Sequence, residues 1–293
     1  MAASNRAISG ARFALVTKSY KGDIEPFAKL CASVDRHMPQ VTHYVLIDKT
    51  DIPLFARFAT AQRVLVDCAA LLPQFREIEA MGRRLWWRAP FRIVRGWIYQ
   101  QLAKIAFVAT LQHEAAVLID SDAVFIAPLR DEHVFDGAAT RMFHNPGQAS
   151  GSEFQKWHNV ALGVLGLPQA GYSGCDYISQ AVIWSPDIVG QMIAVIERTT
   201  GKRWFDALIS NFRFSEYILY GIYCDHVDGP HRQRVVPTTD ELCHCSWHYD
   251  IATTDGVNHF VESLATHQVA VLVQSNLALA STKRDDIFRR FGA

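Results

Sequence analysis

Several things that would place a chain in a specialised class are missing from these 293 residues. There is no net charge: 29 lysines and arginines balance 29 aspartates and glutamates, so no global field exists to gather nucleic acid. No apolar run approaches the ~20 residues of a membrane-spanning helix. Met1 to Arg12 lacks the apolar stretch of a secretory leader, and Phe13-Ala14-Leu15-Val16 is too short to supply one. Cysteine is sparse and scattered, at 31, 68, 175, 224, 243 and 245. A chain of this size needs no disulfide framework, and a reducing cytoplasm is the expected compartment. Repeats and low-complexity segments are missing too. Acidic residues are absent from one long stretch, between Glu79 and Glu114.

What is present is an ordinary globular balance, 49% apolar and 20% charged. Arg12 to Thr17 reads as a first strand, followed by a polar turn from Lys18 to Asp23. Ile24, Phe27, Leu30, Cys31 and Val34 have helical spacing. Thr42 to Ile47 and Arg63 to Val66 read as two more strands, each ending at an aspartate, Asp48 and Asp67. A helix is expected over Trp97 to Leu111 and a fourth strand over Ala115 to Ile119. Strands alternating with helices argue for an α/β fold with a mostly parallel sheet, whose ligands bind beyond the carboxyl ends of the strands. Thr17-Lys18, Asp48, Asp67 and Asp120-Ser121-Asp122 are expected along that edge. Beyond residue 130 the pattern loosens into loops, with helices expected near 186–199 and 215–223.

Asp120-Ser121-Asp122 carries the most chemical information. Two carboxylates two residues apart on an extended backbone point to one side. In so apolar a setting they repel each other and lose hydration unless a cation or a reacting group stands between them. A hard divalent ion held by carboxylate oxygens and a substrate phosphate satisfies both. On the preceding helix, Ile98, Leu102, Ile105 and Ala109 form a core stripe, and Trp97, Gln100, Gln101 and Lys104 form a second that can face a nucleotide.

The acid-free stretch holds Arg83-Arg84-Leu85-Trp86-Trp87-Arg88, then Arg92 and Arg95. Arginines among tryptophans suit a diphosphate, an anionic glycan or an anionic membrane surface. Pro90 and the lack of periodicity favour a loop here. Ser215 reads as the cap of a helix with Glu216 in its first turn. In Cys243-His244-Cys245 a strand would put both cysteines on one face and His244 on the other, leaving the histidine to face the site. Asp225 to His231 reads as a solvated turn.

Together, Ala14-Leu15-Val16-Thr17-Lys18-Ser19-Tyr20, Gly96-Trp97-x-x-Gln100-Gln101-x-x-Lys104, Leu118-Ile119-Asp120-Ser121-Asp122 and Ser215-Glu216-Tyr217-x-x-Tyr220-Gly221 resemble a bacterial family of GT-A-fold glycosyltransferase-like proteins linked to surface-polysaccharide synthesis. The resemblance implies one GT-A-like, Rossmann-type domain over 1–293. Residues from about 12 to 130 would be its nucleotide-sugar half, and those from about 131 to 293 its acceptor half. It implies a UDP- or GDP-linked sugar donor, a glycan or lipid-linked acceptor, and Mn2+ or Mg2+.

On that resemblance, Asp122 binds the metal, Asp120 the metal or the ribose, and His244 supplies a further ligand, with His248 second. Thr17, Lys18 and Tyr20 line the base pocket; Asp67, Gln100, Gln101, Lys104 and Ser121 complete the donor site. Glu216 is the first candidate base and Asp176 the second. A cytoplasmic enzyme is expected, with peripheral membrane contact through residues 83–95. Two rival readings remain at this point. In a haloacid-dehalogenase-like phosphatase, Asp120 would be the nucleophile and Lys283 with Asp285-Asp286 its partners. The other rival is a nucleotide-sugar or glycan binder without turnover.

Overall fold

The computed structural model describes residues 11–80, 82–169, 173–211, 213–227, 233–274, 277 and 279–292. In chain order the first elements are β1 (Phe13–Ser19), α1 (Ile24–His37), β2 (His43–Ile47), α2 (Ile52–Phe55), β3 (Arg63–Asp67) and α3 (Cys68–Leu71). Next come β4 (Phe75–Ala80), β5 (Arg83–Arg88), β6 (Arg92–Arg95), α4 (Gly96–Val108), β7 (Ala115–Ile119) and β8 (Ala123–Phe125). The following segment contains α5 (Asp131–Val134), β9 (Phe135–Asp136), β10 (Ala139–Phe143), α6 (Ser152–Leu165), β11 (Ala181–Trp184), α7 (Pro186–Thr200), α8 (Trp204–Ile209) and α9 (Glu216–His226). The chain closes with β12 (Val235–Thr238), β13 (Cys243–Cys245), α10 (Thr254–Glu262), β14 (Ala270–Leu272) and α11 (Ser281–Arg290).

The central sheet has the order β11-β7-β1-β2-β3. Four of its strands run parallel, and β11 pairs antiparallel with β7 at the edge. Both faces are covered, so β1, β2, β7 and β11 are buried throughout rather than alternating with polar residues, while the edge strand β3 is mostly half-buried. Ala14, Val16, Tyr44, Leu46, Ala116 and Leu118 point to the core shared with α4, α7 and α9. Phe13, Leu15, Val45, Ile47, Val117 and Ile119 point the other way, onto Phe27, Leu30, Cys31 and Val34 of α1. This is the mostly parallel α/β fold the strand–helix alternation predicts. No helix among the described residues is long and apolar enough to cross a membrane.

The 83–95 segment departs from expectation. Instead of a loop it forms two strands of an antiparallel meander, β4-β5-β6, inserted between β3 and α4. Long-range ion pairs hold it, which local spacing does not reveal. Arg84 reaches Asp48, Asp51 and Glu77, and Arg88 reaches Asp206. Trp86 stacks on Tyr99 of α4 at 4.4 Å between ring centroids.

Candidate functional site

The carboxyl ends of β7, β1 and β2 open on one edge, and strand alternation decides which side chain faces what. Asp120 continues the side of Leu118 and so faces α4, where Lys104 Nζ lies 3.8 Å from its carboxylate. Ser121 continues the side of Ile119 and faces the start of α1, where its hydroxyl donates to Asp23 at 2.9 Å. Burial pushes the Asp23 carboxyl up; Ser121 and Lys18 oppose that rise, and the charge on Asp120 adds to it. Asp122 acts on the Tyr20 phenol and on the buried Cys243 thiol, both of which burial and neighbouring charges push up. Asp122 therefore stands between the loop after β1 and the strand β13.

Lys104 is the organiser on the α4 side. Its ammonium donates to Tyr217 Oη at 2.8 Å and to Glu216 at 3.2 Å. Burial alone would lower its pKa, but Tyr217, Glu216 and Asp120 outweigh burial and raise it well above its ordinary value. Burial keeps the proton on Tyr217 at neutral pH, so the two carboxylates carry that stabilisation. Gln101 locks the arrangement by accepting the Glu216 N–H at 3.0 Å, while Ser215 caps the helix through the Ile218 N–H. Further along α9, Gly221 lies against Tyr177, whose ring would be 2.1 Å from any Cβ placed there.

A cavity of about 740 Å³ opens beside these groups, between the ends of β1 and β2, the meander and the start of α4. Tyr20 and Trp97 border it, 41% and 49% exposed, with Gln100 and Lys21 nearby. Its floor is a closed ion network. Arg84 makes two hydrogen bonds to Asp51 and approaches Asp48 at 3.4 Å, and Lys18 meets Asp48 at 3.2 Å. Burial pushes the Asp51 carboxyl up, but Arg84 and the Lys21 N–H overcome this and hold it below the usual range.

Before β13, a second acidic pair comes together. Asp176 accepts from the Ile178 N–H at 2.9 Å, and burial pushes its carboxyl up. Glu241 is pushed up to about 7, first by burial and then by the charge on Asp176. Sequence reading passed over Glu241, although it stands two residues before the Cys243-His244-Cys245 strand.

Several expected site residues are engaged elsewhere in this geometry. His244 donates to or accepts from no carboxylate among the described contacts; its Nε2 meets the Phe260 carbonyl at 2.7 Å and its ring stacks on Phe260 at 4.5 Å. The strand alternation is as expected, but the cysteine face is the one turned toward Asp122. Exposed His248 follows in a short turn. The Glu216 side chain is 5% exposed and its carboxylate is committed to Lys104.

Thr17 shares the side of Leu15, so it is fully buried against His43 at 3.0 Å. Lys18 is walled in with Asp48. Asp67 lies on the far strand β3 and accepts from the Ala69 N–H as the cap of α3. The phosphatase arrangement is not assembled: Lys283 donates to the Ala252 carbonyl, and Asp285 pairs with Lys29. Residues 228–231 of the expected solvated turn lie outside the described residues. Just before them, Asp225 pairs with His144 at 3.0 Å and accepts from Tyr177.

No curated protein matches the chain. Among solved structures it is similar to the bifunctional glycosyltransferase WbbM in its apo form, at 12% identity and a TM-score of 0.49, covering 98% of this chain and 50% of that one. It is also similar to the apo glycosyltransferase GlyE of Streptococcus pneumoniae TIGR4, at 11% identity and a TM-score of 0.48, over 96% and 60% of the two chains. For the galactosyltransferase LgtC with donor and acceptor sugar analogs, the values are 10% and 0.44, over 95% of each. The chain spans about half the length of the first of these and three-fifths of the second. A family model matches residues 9–290, and the chain belongs to that family, the family of unknown function DUF6492.

Proposed function

We propose that the protein is a metal-dependent glycosyltransferase of GT-A type, moving a sugar from a nucleoside-diphosphate sugar to a glycan or lipid-linked acceptor. The observation that carries this reading is that Asp120 and Asp122 stand at the same carboxyl edge of a parallel sheet as an aromatic-rimmed cavity, with the charge of Asp122 acting on Tyr20 at its rim. Tyr20 and Trp97 offer faces for a base, and Gln100 an amide for its polar edge. The carboxylates suit Mn2+ or Mg2+: both are hard oxygen donors, and Asp120 is 41% exposed. With His244 turned away, Asp122 and Asp120 would hold the ion together with the donor phosphates and water. An ion held there would supply charge neutralisation for a nucleoside diphosphate leaving group.

The residues of the chain divide the remaining work. Lys104 fixes Asp120, and Glu216 and Tyr217 fix Lys104. Glu241, pushed up to about 7, is the first candidate to take the acceptor hydroxyl proton, since such a carboxylate is matched to proton transfer at neutral pH, and Asp176, raised by burial, is the second.

The test is release of nucleoside diphosphate from a panel of nucleotide sugars with Mn2+ present. Release that stops on chelation supports the reading. Donor binding without release from any donor would favour a non-catalytic binder, and liberation of inorganic phosphate from phosphomonoesters a phosphatase. Glu241→Gln is expected to cut turnover by roughly 10²–10⁴-fold with donor binding retained. An unchanged rate would remove Glu241 from the chemistry.

A further inference from the structure

The two faces of the β4-β5-β6 meander are chemically unlike. Cross-strand partners point to the same side of a sheet. The register pairs Arg76 with Trp87, Ile78 with Leu85, Leu85 with Arg95, and Trp87 with Ile93. It also places Arg83 opposite Ala80 on that same face. This face therefore holds three arginines among isoleucine, leucine and tryptophan, and no carboxylate. Glu77, Glu79, Arg84, Trp86 and Arg88 all fall on the opposite face, where Arg84 and Arg88 form the ion pairs already described.

Arg76, Arg83 and Arg95 are exposed, and none of their guanidinium groups has a hydrogen-bond or ion-pair partner among the described residues. At the β5–β6 turn Phe91 is 91% exposed, and Ile93 beside it is 51% exposed. A second cavity of about 740 Å³ adjoins the face, lined by Arg83, Arg95 and Arg213 around Leu85, Ile93 and Ile209. Arg213 also pairs with Glu153 at 3.0 Å, an exposed contact that a competing anion can replace.

Solvent-facing arginines beside the exposed ring of Phe91 are complementary to a partner that is anionic at its surface and apolar beneath. A soluble phosphate answers only the arginines. Nucleic acid would find no chain-wide positive field to hold it. We propose that this face docks the protein on an anionic phospholipid bilayer. Phe91 and Ile93 enter the headgroup boundary, Arg76, Arg83 and Arg95 meet lipid phosphates, and the cavity beside Arg213 seats a headgroup. The inference is independent of the transfer reaction, because it uses none of the groups around Asp120 and Asp122.

The experiment is co-sedimentation of the full chain with vesicles of phosphatidylcholine alone or with added phosphatidylglycerol, no nucleotide sugar being present. Retention is expected on the anionic vesicles at low salt, with release at high salt. Each arginine near an anionic surface contributes about fivefold to partitioning, so the triple change R76S/R83S/R95S should weaken retention on the order of 100-fold. Phe91→Ser should weaken it by about 10-fold or more. Circular dichroism and thermal melting should match the parent, since these side chains hold nothing else. Equal retention on neutral vesicles, no retention on either kind, or full retention of the triple variant would each overturn the proposal. So would binding of inorganic phosphate or an acidic protein without binding of vesicles. Loss of vesicle binding with donor hydrolysis intact separates a failure here from a failure of the transferase reading.

Discussion

Lys18 and Lys104 are both buried at the carboxyl edge of the sheet, yet their surroundings differ in kind. Lys18 meets Asp48, which is 4% exposed, and Arg84 and Asp51 close the network around them. Lys104 meets Glu216 on its buried side and Asp120, 41% exposed, on the other. The first network spends its charge internally and riveted the meander to the strand ends. The second holds a carboxylate in place while leaving it open to a ligand. Buried charge at a strand edge is thus no sign of a site in itself; what separates the two networks is the exposed carboxylate at one end of the second.

The largest expected effect that breaks this contrast comes from Lys104→Met. It strands Glu216 without its cation, which should cost about 3–5 kcal/mol in a denaturant titration and also lower donor turnover. Lys18→Met should cost less, because Arg84 still approaches Asp48, and should leave turnover near the parent value once folding is allowed for. Equal losses of turnover would erase the distinction between the two networks. Asp122→Ala sharpens it from the open side. Turnover is expected to fall by roughly 10²–10³-fold, the scale of losing one charge-stabilising group, with loss of Mn2+ dependence and an unchanged melting temperature.

The closed side makes a pH prediction through His43. Arg63 Nε donates to its Nδ1, so Nε2 carries the proton and donates to Thr17. Burial first, and then Arg63, lower its pKa to about 3. A histidine kept neutral in the fold contributes fully above its unfolded pKa near 6.5, and that stability is lost as pH falls toward 3. Stability should therefore drop by about 1.4 kcal/mol per pH unit from this group. Urea midpoints from pH 7 to 5 should show a shallower fall for His43→Gln; parallel slopes would refute the assignment. The smallest effect belongs to Asp67→Ala, a lost helix cap worth about 1 kcal/mol, with turnover unchanged.

Much of the scaffold was legible in the sequence because buried strands and amphipathic helices are written locally. Phe27, Leu30, Cys31 and Val34 line one side of α1 as their spacing predicts. The acidic pair was legible because apolar residues surround it. What local pattern could not supply was the partner across space. The meander's arginines find acids in the 48–51 loop and in α8, far along the chain. In β13 the alternation of cysteine and histidine was readable, but which face looks toward Asp122 depends on β14 and α10 packing behind it. Direction is equally silent in an apolar run, so nothing in Ala181–Trp184 announced that β11 would run antiparallel.

Gly221 has no chemistry to offer, and that is its significance. Tyr177 fills the space where its side chain would be, so α9 rests against the segment that carries Asp176 with no more than a ring's thickness between them. The residue acts as a spacer of zero length between the lysine-anchored helix and the second acidic pair. Adding one methyl group there would not touch a single polar atom of the site, yet it would have to move one half of it relative to the other. The spacing between that helix and the Asp176 segment is set by an absent side chain.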